Sequence, residues 1–482
     1  MSIINFKIIS KIISRNLFIV SAALFVCIFI SIYYSEQAIP FVIATLVSFF
    51  GGLLLYFYSK SRDEKISLQR KEAYLTVTLS WLLISLISCI PYILSGAIPS
   101  FTNAFFESVS GFTTTGSSIL TEIESLPKSI LFWRSLTHWI GGIGIIVLVI
   151  IIMPKLQIGG YHLFTLESSF QEKIQPKIKS VGNRLLLIYI VLTLAEIFLL
   201  LLGGMNLFES TCHAFGTIAT GGFSPKNSSI GEYSPYIQYV LMFFMLLSGT
   251  NFVIHYYLFK REFKKINENE EFKFFLGITF IIGIVITTIL YLKMDKTIEE
   301  SFRESFFQVI SIITCTGYAT ADYMQWPVVA WMIIFFAMFL GGSTGSTSGG
   351  IKMARHLVVF KNYSMYFRRF NTPHAIFSFR LNKKSISDET NSSILTFISL
   401  YFMIFVAGSL TLILMGLNAK DASSSVATCM AGIGPGLGSV GPASNFAHLP
   451  EAAKYVLSFL MLIGRLEIYT ILILFTPNFW KK

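Results

Sequence analysis

Charge is what this chain has least of. Asp, Glu, Lys and Arg together make up 13% of its 482 residues, about half the share of a soluble domain. Hydrophobic residues make up 54%, and mean hydropathy is +0.66. A single large soluble core is thereby excluded. Cysteine is scarce too: Cys27, Cys89, Cys212, Cys315 and Cys429 fall in apolar or pore-like stretches without paired spacing. That excludes a thiolate metal centre and a secreted disulfide framework, and reads as reduced, structural thiols. None of the seven histidines forms a His-x-x-x-His pair on an apolar run. No Walker-type or dinucleotide glycine loop follows a strand. The chain therefore reads as no enzyme, with no organic cofactor of its own.

What is present is length of apolar sequence. Runs 17–34, 41–58, 74–94, 131–153, 185–202, 236–258, 275–292, 328–340, 394–417 and 453–475 read as spanning segments. Most approach the ~20 residues that a bilayer requires; 328–340 is short. Lys7, Lys11 and Arg15 precede the first run as in a signal peptide, but no small-residue cleavage site follows, so it reads as a retained anchor helix. Net charge is +11. With a cytoplasmic amino terminus, segments 1–16, 59–73, 154–184, 259–273, 351–390 and the carboxyl-terminal tail hold about 28 of the 37 Lys and Arg. This positive-inside bias places both termini in the cytoplasm. It needs no nucleic acid to explain it, and the basic loops can touch anionic membrane lipid.

One short phrase recurs deep in this apolar chain: Thr113-Thr114-Thr115-Gly116, Ala219-Thr220-Gly221-Gly222, Thr314-Cys315-Thr316-Gly317 and Ile433-Gly434-Pro435-Gly436. With Gly116, Gly221, Gly317 and Gly434 as signature positions, the phrase returns roughly every hundred residues, as in duplicated transport folds. Phe105-Phe106-Glu107 aligns with Phe306-Phe307-Gln308, and Ser110 with Ser311. The expected fold is an all-α polytopic membrane protein. Four pseudo-repeated units (helix, pore helix, filter strand, helix) surround one pore, preceded by two extra amino-terminal transmembrane helices. The expected divisions are 1–73, 74–154, 155–258, 259–390 and 391–482.

The 10–15 residues before each phrase are too short to span. They start on Thr102-Asn103, Asn206, Thr297 to Glu300, and Lys420-Asp421, with Thr297 and Glu300 forming a capping box. They read as half-membrane helices whose carboxyl-terminal ends favour a cation. Thr/Gly backbone can turn carbonyl oxygens inward to replace a cation's water shell. The candidate cation ligands are Thr113, Thr114, Thr115, Gly116, Ile218, Ala219, Thr220, Gly221, Thr314, Cys315, Thr316, Gly317, Gly432, Ile433 and Gly434.

Over essentially its whole length, the chain resembles the Trk/Ktr/HKT potassium-transporter superfamily, specifically the Trk-type membrane subunit. The phrases above carry the resemblance. So do Phe132-Trp133-Arg134, Gly141-Gly142-Ile143-Gly144, Thr316 to Tyr323, Gly341 to Lys352 and Gly464-Arg465-Leu466-Glu467. Cys315 stands where a Thr is common, and Ala431-Gly432-Ile433 precedes Gly434 where Asn is often seen. The resemblance implies a bacterial inner-membrane K+ uptake subunit. It implies K+ as the transported ion. The implied partners are a second copy, making a homodimer, and a cytosolic TrkA-like ring of nucleotide-binding domains. That ring would dock on segments such as 154–184, 259–273 and 351–390.

Residues Gly341, Gly342, Ser343, Thr344, Gly345, Ser346, Thr347, Ser348, Gly349 and Gly350 hold five glycines and five hydroxyl residues, so no regular helix is expected through them. Irregular backbone at membrane depth must be buried in protein or line water. Supported by the resemblance, this stretch reads as an intramembrane gate loop. Arg465 is expected near the middle of the last helix; the resemblance implies that it lies below the filter, hindering ion passage and pairing with that loop. Glu467 is expected on another face. His138 and His213 read as packed, hydrogen-bonded imidazoles. Glu107, Glu209, Glu299, Glu304 and Asp322 are placed near the outer mouth. A coupled K+/H+ or K+/Na+ symporter remains the alternative, with Glu196 and Glu467 as its carboxylates.

Overall fold

The computed structural model describes residues 4–60, 69–147, 178–372 and 379–481. The regular structure of the described chain is helical apart from one two-stranded hairpin, Arg380–Leu381 with Lys384–Ser385, and an isolated bridge between Leu340 and Ile351.

Two long helices, Phe6–Tyr33 and Ile39–Ser59, lead the chain. Small residues let them lie close: Ser48 Oγ donates to Leu17 O at 2.8 Å and Ser14 Oγ to Gly52 O at 2.7 Å. In an apolar medium such contacts hold helices together where hydrophobic burial cannot.

Four sets of elements follow, each a long helix, a short helix, a turn segment and a second helix. The long helices are Arg70–Leu94, Ile178–Leu202, Glu270–Lys293 and Asp388–Leu414. The short helices are Phe101–Phe112, Leu207–Ile218, Ile298–Ile313 and Ala419–Ala431. Asn206, Thr297 and Asn418 cap the last three through side-chain oxygens, and the Thr297/Glu300 capping box forms. The second helices are Lys128–Val147, Pro235–Gly249, Val328–Ala337 and Glu451–Arg465. Each begins at or just after a proline (Pro127, Pro235, Pro327, Pro450). Proline's missing N–H costs nothing in a first helical turn, so it marks where the chain turns back.

Among the described residues, six helices are long and apolar enough to cross a membrane, or eight spans if each of two bent pairs counts as one. The bends correct two expected straight spans. Run 236–258 breaks between Gly249 and Phe252 with a 102° bend, and run 453–475 breaks between Arg465 and Ile468 with a 115° bend. Thr250 and Asn251 interrupt the first, with Asn251 starting a new helix as its cap. Glu467, at φ +66°, interrupts the second. The short run 328–340 is helical only over Val328–Ala337. Run 131–153 and segment 154–184 lie partly outside the described residues.

The four short helices and their turn segments form the buried centre. Its lining is polar as well as apolar: Ser108, Ser110, Thr115, Thr314, Thr316, Ser424 and Thr428 are all buried.

Candidate functional site

Each short helix ends in the same backbone figure. Thr113, Ala219 and Thr314 close their helices in right-handed geometry. The next residues, Thr114, Thr220, Cys315 and Gly432, have φ of +51°, +54°, +57° and +69°. Two positions further on, Gly116, Gly222, Gly317 and Gly434 again have positive φ, from +78° to +103°. The residue between them anchors the turn. Thr115 N, Gly221 N, Thr316 N and Ile433 N each donate to the carbonyl five residues back, at 2.7–3.0 Å. Alternating hand in successive residues turns neighbouring peptide groups to one side, whereas an extended strand alternates them. Three of these left-handed residues are not glycine, and such strain costs of order 1–3 kcal/mol each. It persists because the surroundings over-determine it.

The four turn segments close a ring in chain order. A Cβ placed on Gly116 would lie 2.1 Å from Gly221 O; on Gly222, 2.0 Å from Thr316 O; on Gly317, 1.8 Å from Ile433 O; and on Gly434, 3.0 Å from Thr115 O. Each segment is thus seated against the third-position carbonyl of the next, and the fourth returns to the first. All four glycines line one cavity of about 230 Å³, whose wall also includes Phe223 and Pro435.

Equivalent short-helix positions brace the chain beyond each turn. Glu107 accepts from Ile119 N at 2.9 Å and Ser118 Oγ at 3.0 Å. His213 Nε2 lies 3.1 Å from Ser224 Oγ, and Gln308 Nε2 donates to Ala321 O at 3.2 Å. Glu107 is fully buried and pairs with Arg134 Nε at 2.6 Å. Arg134 also donates to Ser224 O at 3.0 Å and stacks 3.7 Å over Phe223. A carboxylate so paired carries no free negative charge. Tyr318 Oη donates to His213 O at 3.0 Å, tying the third turn to the second short helix. Outside the bundle, Glu124 accepts from Asn227 N at 3.2 Å. That bond first, then Lys226, holds its carboxyl below the ordinary glutamate range.

Residues 341–350 form no helix and lie across the ends of three short helices. Thr347 Oγ1 donates to Ile218 O at 3.0 Å, and Ser348 Oγ donates to Thr314 O at 2.6 Å. A Cβ on Gly349 would lie 2.1 Å from Ala431 O. The loop also threads the broken Pro235–Gly249/Phe252–Phe259 pair. Ser343 N donates to Gly249 O at 2.8 Å, and Phe252 N to Gly345 O at 3.2 Å. It thereby satisfies the last carbonyl of one half and the first amide of the other. Two cations hold it: Arg465 Nη1 donates to Thr347 O at 2.7 Å, and Lys352 Nζ to Ser348 O.

Most of the residues singled out in the sequence come together in this centre, with one change of register and one of position. In the second unit the equivalent of Gly116 is Gly222, not Gly221. Ile218 therefore belongs to the last helical turn, where Thr347 holds its carbonyl. A Gly-Gly pair offers two registers to sequence comparison, and only the sign of φ separates them. Arg465 is not mid-helix: it is the last residue before a break. Within that break Glu467 pairs with Arg355 at 2.7 Å. His213 is hydrogen-bonded as expected. His138 instead stacks on Phe223 at 4.0 Å, with neither ring nitrogen bonded among the described residues. Glu196 is fully buried, and neither of its carboxyl oxygens has a partner at hydrogen-bonding distance among the described residues. Sequence reasoning missed Gly222, the Arg134–Glu107 pair and Glu271. The last two lie far from their partners in sequence, and only the fold brings them together.

Fold and site define a polytopic all-helical membrane protein with a fourfold internal repeat closed around one axis. A family model described as TrkH, cation transport protein, matches residues 40–482, and the chain belongs to that family of transporters, which are not enzymes. It is 34% identical to the Trk system potassium uptake protein TrkH of Escherichia coli K12, over 99% of this chain and 100% of that one. It is 38% identical to TrkI of Halomonas elongata, over 86% and 85%. Its fold is similar to the crystal structure of the potassium transporter TrkH from Vibrio parahaemolyticus: TM-score 0.91, 32% identity, covering 99% of this chain and 100% of that one.

Proposed function

We propose that this protein is the K+-conducting membrane subunit of a bacterial Trk-type uptake system. The ring of four glycine turns is its selectivity filter, and residues 341–350 are its gate. The closed ring of glycine-to-carbonyl contacts carries this reading. Backbone of alternating hand can present carbonyl oxygens to one axis and replace a cation's hydration shell. The four short helices end at that ring, so their partial negative ends favour a cation there. Four unequal segments, two with paired threonine hydroxyls (Thr113/Thr115 and Thr314/Thr316, both 2.8 Å), form a less regular cage than four identical ones.

None of residues 341–350 lines the 230 Å³ cavity, and in this reading the loop closes the path on the other side of the ring. With Arg465 and Lys352 donating into it, its carbonyls at Thr347 and Ser348 are occupied by tethered cations. The arrangement is that of a closed pathway. The similarity to Trk uptake proteins supports K+ as the ion and partnership with other Trk subunits. A homodimer, a cytosolic nucleotide-binding ring, the inner membrane, cytoplasmic termini and the four-unit division belong to the same proposal.

The test is K+ and Na+ flux through the purified protein in liposomes, with the K+ gradient clamped and pH varied. Passive, voltage-driven K+ flux indifferent to pH, raised by deleting residues 343–348, is the expected outcome. Flux that requires a proton or Na+ gradient would overturn the channel-like reading in favour of coupled transport, with Glu196 the first carboxylate to replace.

A further inference from the structure

Glu271 stands in the first turn of the Glu270–Lys293 helix and is 1% exposed. A carboxylate there ordinarily serves its own helix terminus. Here Asn269 does that, its Oδ1 accepting from Phe272 N at 2.8 Å. Glu271 turns instead to the 341–350 loop. Its Oε1 accepts from Thr344 N at 2.7 Å, Thr344 Oγ1 at 3.2 Å and Ala354 N at 2.9 Å. Thr344 lies in the leading arm of the loop, and Ala354 lies just past its end, in the first turn of the Met353–Asn371 helix. One carboxylate oxygen therefore ties both arms together.

The adjacent residue faces the other way. Glu270 N donates to Asn382 Oδ1 at 2.8 Å, and Glu270 Oε2 accepts from Asn382 N at 3.2 Å and from Lys361 Nζ. Lys361 Nζ also donates to Arg380 O at 2.8 Å. Glu268 holds Lys383 at 2.9 Å. Neighbouring residues of one helix start thus grip the basic 380–385 hairpin on one side and the buried loop on the other.

We propose that Glu271 is a positioning residue that clamps the loop shut, and that Glu270 links this clamp to the hairpin, so that displacing the hairpin releases the loop. The inference rests on the reading of the loop as a gate. A plain structural strut would, when removed, lower the yield of folded protein. A clamp, when removed, leaves folded protein that leaks K+ with its ion preference intact.

The test uses the full-length protein in liposomes, with the 343–348 deletion in parallel. Glu271→Ala removes three charge-assisted bonds, each stronger than a neutral one, and is expected to raise passive K+ flux about tenfold at an unchanged K+/Na+ ratio. Lys361→Ala with Asn382→Ala is expected to raise it less. A Glu271→Cys/Thr344→Cys pair joined by a short reducible bis-methanethiosulfonate is expected to lose the extra flux and regain it on reduction. This pair carries the test if Glu271→Ala does not fold. If the deletion raises flux while the alanine variant and the unbridged pair stay at the wild-type level, the clamp is overturned and the gate stands. If the deletion also leaves flux unchanged, the gate reading falls and the clamp with it.

Discussion

Gly317→Ala is the sharpest perturbation of the ring. The position has φ +83°, where a Cβ costs of order 1–3 kcal/mol. The added methyl would also lie 1.8 Å from Ile433 O. To reach even the 3.0 Å separation found at Gly434, that carbonyl must retreat by about 1.2 Å, more than a close-packed interior absorbs without rearrangement. One of four third-position carbonyls is then displaced from the others. Gly434→Ala meets the same φ restriction at +103°, but its nearest contact is already 3.0 Å from Thr115 O. The two substitutions share backbone strain and differ in displacement. K+/Na+ permeability ratios from liposome flux should therefore fall about tenfold or more in Gly317→Ala, equivalent to about 1.4 kcal/mol of discrimination. Gly434→Ala should lose under about threefold. Equal losses in the two variants, or full selectivity in Gly317→Ala, would refute carbonyl placement as the source of selectivity.

The same ring contacts make further demands. At Gly221 a Cβ would meet the His138 ring at 2.4 Å, whereas at Gly222 it would meet Thr316 O at 2.0 Å. Selectivity lost in Gly221→Ala should return when His138→Ala is added, while Gly222→Ala should not be rescued. Rescue of both would show the register to be wrong. Glu107→Gln leaves Arg134 buried without its counter-charge, a cost of about 3–5 kcal/mol. Thermal unfolding in detergent should show a marked fall in midpoint, which Glu107→Leu with Arg134→Leu partly restores. Glu196→Gln replaces a buried carboxyl with no partner at hydrogen-bonding distance among the described residues. It should leave the unfolding midpoint at pH 8 equal or higher, because a buried carboxyl without a charged partner must either carry a costly charge or take up a proton, and the amide does neither.

The residues show which features were legible in sequence. The short helices were legible because the rule for starting a helix is local: Asn206 and Thr297 cap where capping chemistry predicts. The glycine phrases were legible because positive φ demands glycine often enough to leave a trace. At Thr114, Thr220 and Cys315, however, the left-handed turn is imposed on residues that disfavour it, so no local preference announces it. The breaks at Thr250–Asn251 and Leu466–Glu467 hide inside apolar runs of spanning length. There hydropathy records the medium and is blind to direction. Arg465 was located by its cost in a membrane, but its partner, the carbonyl of Thr347, is 118 residues away and carries no sequence signature.

The closed ring has a consequence for how such a protein can change. In a pore of four identical subunits, one altered codon alters all four walls at once. Here the walls are encoded separately, and each leans on the next in one direction round the axis. A substitution is first felt by a single neighbour, and three walls keep their inherited form. Cys315 and Ile433, which stand where the first unit has Thr114 and Thr115, are such local departures. With the ring as the proposed filter, a chain built this way would adjust its ion preference a quarter at a time.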